Sequence, residues 1–496
     1  MTTSLSNPEN SAITLSNAEV ETRPEKYTTY RIKHTLASRF AFLIVCGAII
    51  LSALAYGTVH YWALALFFLG AVGVVILWVV DSWNLGSIRV SLNLLQLPLL
   101  GMLLLGLIQL LPLRTPSASG LSVPFVKSLS LDPYSTRLVL VQTCALFIYF
   151  AATLVFTDTP KRLRMLVRTI IIFGFLLAIF GLTQSFTSPN KLFWLREMAQ
   201  STPFGPFINR HHFAGYMELA LALPLGLLAS GSVPKEKRII YLFAVALMAV
   251  ALVMTNSRGG LISFGSEVLF IAVIGFGIRR SRHGDRSLNR GIKSVTVRAG
   301  LAMALVVTLL MGVVALGGED ALSRLVGTVN SEDPTTGRLH FWDVTTDIIK
   351  NHPIIGTGLG AFGVVYTGYD SRNGLYRLEQ AHNDYLQVLS DGGIIGALLG
   401  LFFVINLFRM GFTRRESRDE FRRGVATGAM AGCFAVLVHS FFDFTLHTPA
   451  NALLFLVLAA LATMNGRVED VQNRKQHGRT RRHRHRSSRV PAVRTV

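Results

Sequence analysis

The stretch ISFGSEVLFIAVIGFGI, residues 262–278, carries a single ionisable side chain, Glu267. It follows the short polar break TNSRGG (255–260) and precedes the basic run RRSRHGDRSLNRGIKSVTVR (279–298). A segment this apolar and this long has the dimensions of a bilayer crossing. In lipid each backbone N–H and C=O needs an internal partner, so the segment reads as a helix. Similar runs recur. Crossings are expected at about 39–57, 60–80, 92–111, 137–157, 165–185, 212–230, 238–254, 260–278, 299–317, 392–409, 424–446 and 449–465. The chain as a whole is 51% hydrophobic and only 15% charged, with a mean hydropathy of +0.46, which excludes an ordinary soluble domain. The expected class is an all-α polytopic membrane protein of about twelve spans.

Sidedness follows from lysine and arginine. With the N-terminus in the cytoplasm, TPKRLRMLVR (159–168), PKEKR (234–238), 279–298 and RMGFTRRESRDEFRR (409–423) all fall inside. The segment 319–391 falls outside and carries ten acidic against five basic residues. The C-terminus also lies inside. The net charge of +20 then concentrates on the cytoplasmic face, and HGRTRRHRHRSSR (477–489) reads as an anchor on anionic membrane lipids rather than a nucleic-acid or metal site. Residues 1–38 read as a disordered tail without a cleavable signal peptide, 39–465 as the membrane domain, and 466–496 as a basic tail. Cys46, Cys144 and Cys433 fall within expected spans, so no disulfide is expected outside and all three read as core filler.

Three outward segments are long enough to carry function. Residues 112–136 contain SLSLDPYSTR, whose Asp-Pro-Tyr reads as a turn feeding a helix, and 186–211 lead into PFGPFINRHHFAGY. The third, 319–391, contains TTGRLHFWDVTTDIIKN, an amphipathic helix with Leu339, Phe341, Trp342, Ile348 and Ile349 as its apolar contacts. GTGLGAFG (356–363) superficially resembles a dinucleotide fingerprint, but it lacks a βαβ context, so its glycines read as a tight turn or a close helix approach.

Motifs of soluble enzymes such as GxxxxGK[ST], HExxH, GxSxG and CxxC are absent. What the outer face carries instead is basic: Arg210, His211 and His212, then Arg258, then Arg338 and His340, and finally His382 in AHNDYLQVLSDGGIIGALLG (381–400). Outward arginines run against the charge bias, and guanidinium groups suit a diphosphate through bidentate hydrogen bonds. An imidazole is suited to taking a proton from a sugar hydroxyl near neutral pH. If 379–387 is helical, Glu379 shares the face of His382 while Asp384 points away, so the carboxylate orienting the ring is Glu379 or comes from another span. His439, Asp443 and His447 fall at i, i+4, i+8 of the eleventh expected span, a stripe that reads as a polar clamp between helices in preference to a metal site.

Together, SLDPYSTR (130–137), FGPFINRHHFAGY (204–216), NSRGG (256–260), GRLHFW (337–342), HPIIGTGLGAF (352–362), AHNDYLQVLSDGGIIG (381–396) and HSFFDFTLHTP (439–449) resemble, in order, the O-antigen ligase/polymerase family of bacterial envelope glycosyltransferases. The resemblance implies a GT-C-like membrane fold in the bacterial inner membrane, with a large periplasmic loop between helices 9 and 10. The implied donor is a glycan on undecaprenyl diphosphate, and the implied acceptor is a saccharide, either lipid A core or a growing chain. Transfer is implied to proceed without cofactor or metal. On the same ground Arg258 and Arg338 would hold the diphosphate and His382 would activate the acceptor, with Arg210, His212, Glu379 and Asn383 as substrate-binding candidates. His211 departs from the asparagine often found there in the family. The Arg, Arg, His order leans to ligase over polymerase. A lipid-linked oligosaccharide transporter is the competing class, although it predicts repeat symmetry between halves that this sequence lacks.

Overall fold

The computed structural model describes residues 34–114, 127–198, 201–283, 338–370, 378–417 and 419–464, with backbone alone over 275–283. The expected span at 299–317 and the 466–496 tail lie outside the described residues, as does nearly all of the 1–38 tail. Every other expected span coincides with a helix. These are α1 (Leu36–Leu54), α2 (Tyr61–Leu85), α3 (Gln96–Gln109), α4 (Pro133–Phe156), α5 (Pro160–Thr187), α6 (Arg210–Ser230), α7 (Arg238–Met254) and α8 (Arg258–His283). Two helices within 319–391 follow, α9 (Arg338–Asn351) and the short α10 (Phe362–Tyr366). The chain continues with α11 (Asp384–Arg415), α12 (Glu420–His439) and α13 (Pro449–Thr463). Among the described residues eight helices are long and apolar enough to cross a membrane, and α3 and α13 are shorter apolar helices. Among the described residues the one sheet is a hairpin of two-residue strands, Lys191–Leu192 against Arg196–Glu197.

Local sequence sets the helix starts. Asp132 caps α4, its carboxylate accepting from the N–H groups of Tyr134 and Ser135, with Pro133 at the first helical position. Such a cap contributes about 1 kcal/mol.

At the centre, α12 packs most closely on α6, and small residues explain how. A Cβ on Gly226 would lie 2.4 Å from the Cα of Gly428, and one on Gly428 would lie 2.4 Å from the carbonyl oxygen of Ala222. Gly424, Gly428 and Gly432 repeat every four residues, so the two backbones touch along a continuous strip. The pairing of Gly226 with Gly428, and of Glu218 with His439 higher up, makes the helices antiparallel.

The two ends of the bundle use charge differently. At one end Arg89 bonds Asp81 and, at 2.9 Å, Asp158, while Arg162 donates to the Phe156 carbonyl and the Ser38 hydroxyl. There Arg422 also caps α13 by donating to the carbonyls of Leu461 and Met464. These arginines lock helix ends. The candidate residues gather at the other end.

Several details differ from expectation. Cys46 and Cys433 are buried, but Cys144 is exposed on the outside of α4, where an apolar thiol satisfies lipid as well as it satisfies a core. The buried face of α9 is Val344, Thr345 and Ile348, with Phe341 packed alongside, whereas Leu339 is exposed. The eleventh span ends at His439, ahead of the expected 446, and residues 440–448 form turns.

Helix α11 begins at Asp384, earlier than the expected 392, and breaks at Gly393 (φ 60°, ψ −161°), a conformation open essentially to glycine alone. The segment 353–361 fills the break. Thr357 N–H donates to the Ser390 carbonyl, Gly358 N–H to Asp391, and Ile394 N–H to Pro353. Gln109 of α3 ties both pieces, donating to the carbonyls of Ile355 and Asp391 and accepting from Leu359 N–H. The glycines of GTGLGAFG therefore serve this turn. Gly356, Gly358 and Gly360 all have positive φ, and a Cβ on Gly356 would meet the Asp391 carbonyl at 2.4 Å.

Candidate functional site

Asp443, in the turn between α12 and α13, is the hub of the site. Its side chain is 2% exposed and four groups converge on it. His382 Nδ1 lies 3.2 Å from Oδ1, the Phe444 N–H donates to Oδ1 at 2.9 Å, and His211 Nδ1 and Arg338 Nη2 each lie 3.9 Å from Oδ2. Burial works against ionisation of this carboxyl. The hydrogen bond from His382 and the nearby imidazoles of His211, His382 and His212 outweigh it and hold Asp443 well below the usual carboxylate range.

His382 adopts φ 51°, a left-handed conformation costing a non-glycine residue of order 1 kcal/mol. Bonds on both sides hold it there. The Ala381 carbonyl accepts from Trp342 Nε1 at 3.1 Å, and the Ala381 N–H donates to Gln387 Oε1 at 2.7 Å. Beyond it, the Asp384 N–H donates to the Ser440 carbonyl at 2.9 Å. The ring packs edge-on to Phe444 at 4.8 Å and lies over Phe341 at 6.4 Å, yet the side chain stays 27% exposed. With Nδ1 turned to Asp443, Nε2 is the ring nitrogen outside that bond.

The arginines and His211 complete the rim. Arg338, at the first position of α9, donates through Nη1 to the Phe442 carbonyl, next to Asp443. Only Thr255–Ser257 separates α7 from α8, so Arg258 opens α8 as an exposed residue, in place of lying within a six-residue break. Ser257 Oγ pairs with His211 Nδ1 at 2.8 Å, which ties that turn to the start of α6. A Cβ on Gly259 would meet the His439 ring at 2.8 Å, so this glycine lets α8 close onto α12.

The remaining sequence candidates separate. Arg210 opens α6 beside His211. His212 is turned inward, 8% exposed and edge-on to Phe444 at 5.0 Å, so His211 is the histidine of this pair that faces Asp443. Asn383 is the N-cap of α11, accepting from Tyr385 and Leu386 N–H and donating to the Phe441 carbonyl at 3.3 Å. Residues 379–383 are not helical, so the register that set Glu379 beside His382 does not form. Glu379 is exposed and lies by Gly363. The orienting carboxylate comes from another part of the chain, as Asp443.

The expected stripe of His439, Asp443 and His447 is likewise broken by the end of α12. His439 bonds Glu218 at 2.9 Å inside the bundle, Asp443 bonds His382, and His447 Nδ1 pairs with Asp384 at 2.8 Å. Asp384 also accepts from Ser440 Oγ at 2.7 Å. Burial favours the neutral His447 ring, but the hydrogen bond and charge of Asp384, with the charge of Asp391, raise its pKa above the ordinary 6.5. His439 clamps α12 to α6, whereas Asp443 and His447 tie the turn after α12 to His382 and to the start of α11. Among the described residues no His, Cys, Asp and Glu group is arranged to hold a metal ion. Sequence reasoning gave Asp443 no role at the site. The proline of FFDFTLHTP disfavours a helical Thr448, which does not place the end of α12 at His439.

A family model described as O-antigen ligase matches residues 243–401, from α7 to the middle of α11. The match covers less than half of the chain, and this segment is similar to that family. It contains Arg258, Arg338 and His382, whereas Asp443 and His211 lie outside the match. No curated protein matches the chain. The family indicates a multi-pass membrane protein with ligase- or polymerase-type glycosyl transfer, acting on lipid-linked glycan and saccharide acceptor substrates.

Proposed function

We propose that this protein transfers a glycan from undecaprenyl diphosphate to a saccharide hydroxyl at the periplasmic face of the inner membrane, in the manner of an O-antigen ligase. In this reading the chain has about twelve spans in a GT-C-like arrangement, with both termini in the cytoplasm. The observation that carries it is the pairing of an accessible imidazole with a buried carboxylate, His382 with Asp443, beside Arg338.

Asp443 holds the His382 ring, and Nε2 takes the acceptor hydroxyl proton as the oxygen attacks the anomeric carbon. A new C–O bond forms there, the C–O bond to the diphosphate breaks, and the proton stays on His382. Arg258 and Arg338 hold the leaving diphosphate, whose charge grows as that bond breaks. Arg210 and His211 extend the polar rim toward the substrate. His212 and Asn383 support the site from beneath, and Glu379 is the outermost candidate contact. The chemistry is carried by side chains without a metal.

The test is reconstitution with an undecaprenyl-diphosphate glycan and candidate acceptors, with and without a chelator. His382→Asn tolerates the left-handed backbone, so it isolates loss of the base from loss of fold. It and Arg258→Ala are expected to insert normally and lose transfer, and the chelator is expected to change nothing. Full turnover by His382→Asn refutes the base. A glycan on lipid A core identifies a ligase, and a lengthened carrier-linked chain identifies a polymerase. Lipid crossing the bilayer without transfer identifies a transporter.

A further inference from the structure

Away from the site, a groove of about 1160 Å³ runs along the outside of α5, walled on one side by Ile50 and Leu54 of α1. One stripe of α5 forms its floor. Lys161, Arg164 and Arg168 line its start, and the rest is apolar down to Phe180. The basic end lies beside the cluster of Arg89, Asp158 and Arg162, at the end of the bundle opposite His382.

The cations there are of two kinds. Arg162 points inward and is fully engaged with Asp158, Ser38 and the Phe156 carbonyl. Arg164 lies over the Phe421 ring at 5.6 Å. Lys161 and Arg168 are exposed and make no hydrogen bond or ion pair among the described residues. Arg168 sits two turns inside the helix, roughly 12 Å from its start at 1.5 Å per residue. The stretch 159–168 lies at the cytoplasmic side of the expected 165–185 span, so Arg168 sits at the interface, where a guanidinium favours an anionic headgroup. An apolar channel continues from those cations, matching a molecule with an anionic head and hydrocarbon chains.

We propose that this groove binds an anionic phospholipid, its phosphate between Lys161 and Arg168 and its acyl chains along α5 toward Phe180. Charge complementarity selects this occupant, because a zwitterionic headgroup would carry its own cation into a site that already holds three. The proposal does not depend on the transfer reaction, since the groove opens at the other end of the bundle.

Native mass spectrometry of the full chain, titrated separately with phosphatidylglycerol, phosphatidylcholine and undecaprenyl phosphate, tests it. Phosphatidylglycerol is expected to bind at the lowest concentration. Lys161→Gln and Arg168→Gln are each expected to weaken it about fivefold without changing phosphatidylcholine, and Arg168→Lys to retain binding. Ile172→Trp, which fills the apolar part, is expected to weaken both phospholipids. Equal binding of the two phospholipids, or no effect of Arg168→Gln in a monodisperse protein, overturns the proposal. Displacement of phosphatidylglycerol by undecaprenyl phosphate at lower concentration overturns it as well, assigning the groove to a polyprenyl chain.

Discussion

Replacing Asp443 with asparagine keeps the side chain's shape and removes its charge. In the wild type the carboxylate accepts from His382 at 3.2 Å and faces His211 and Arg338 at 3.9 Å, with 2% of its side chain exposed. The amide can still accept one hydrogen bond, but it no longer stabilises the imidazolium that forms when His382 takes a proton. A positioned general base contributes about 10²–10⁴-fold, so transfer by Asp443→Asn is expected to fall about 10²–10³-fold. That corresponds to ~3–4 kcal/mol of transition-state stabilisation. Arg338 and His211 also lose their anion, costing about 1–3 kcal/mol of fold stability. Because the native pKa of Asp443 is depressed, its stabilising contribution is present above the ordinary carboxylate value and is lost only as pH falls through the lower native value. The stability gap between the two proteins should therefore stay flat above about pH 5. Single-turnover transfer with a lipid-linked glycan, together with thermal unfolding in detergent, reads both effects. The Asp443→Asn/His382→Asn double variant should be hardly slower than either single one, since the pair acts as a unit. Transfer within threefold of wild type, or losses that multiply in the double variant, would refute the pairing.

Further outcomes follow from the same contacts. The raised His447 pKa means its pair with Asp384 stabilises fully below about pH 6.5 and less as pH rises through the native value. His447→Gln should thus lower the melting temperature at pH 6 and approach wild type at alkaline pH. Trp342→Phe removes the bond to the Ala381 carbonyl, costs about 0.5–1.5 kcal/mol, and should lower kcat more than it raises acceptor KM. Gly428→Leu forces side-chain atoms against the Ala222 carbonyl. It should destabilise by at least about 1–3 kcal/mol, read as lost monodisperse protein on gel filtration.

The apolar runs made the helices legible because length and hydropathy are local properties, and α1 to α8 lie close to where the sequence places them. The sidedness of lysine and arginine led to the expectation that Arg258, Arg338 and His382 share one face, and two of them, Arg338 and His382, meet at Asp443. Two features were not local. The i, i+4, i+8 spacing of His439, Asp443 and His447 assumed that α12 continued, but the aromatic turn 440–448 ends it and sends each side chain to a different partner. The choice of Glu379 for His382 assumed a helix through 379–387, which Asn383 instead caps from Asp384 onward. In both cases helical spacing was applied across a break in the helix.

The break at Gly393 also limits how relatives can exchange parts. Because 353–361 supplies partners to the opened turn of α11, and Gln109 stitches both to α3, that segment and this helix form one structural unit. A chimera cut between residues 366 and 384 would separate donors from their acceptors. Grafts should keep 338–396 intact and bring along Gln109 of α3, whose amide bonds Ile355, Leu359 and Asp391, so that recombination follows hydrogen bonds and not the apparent boundary between loop and span.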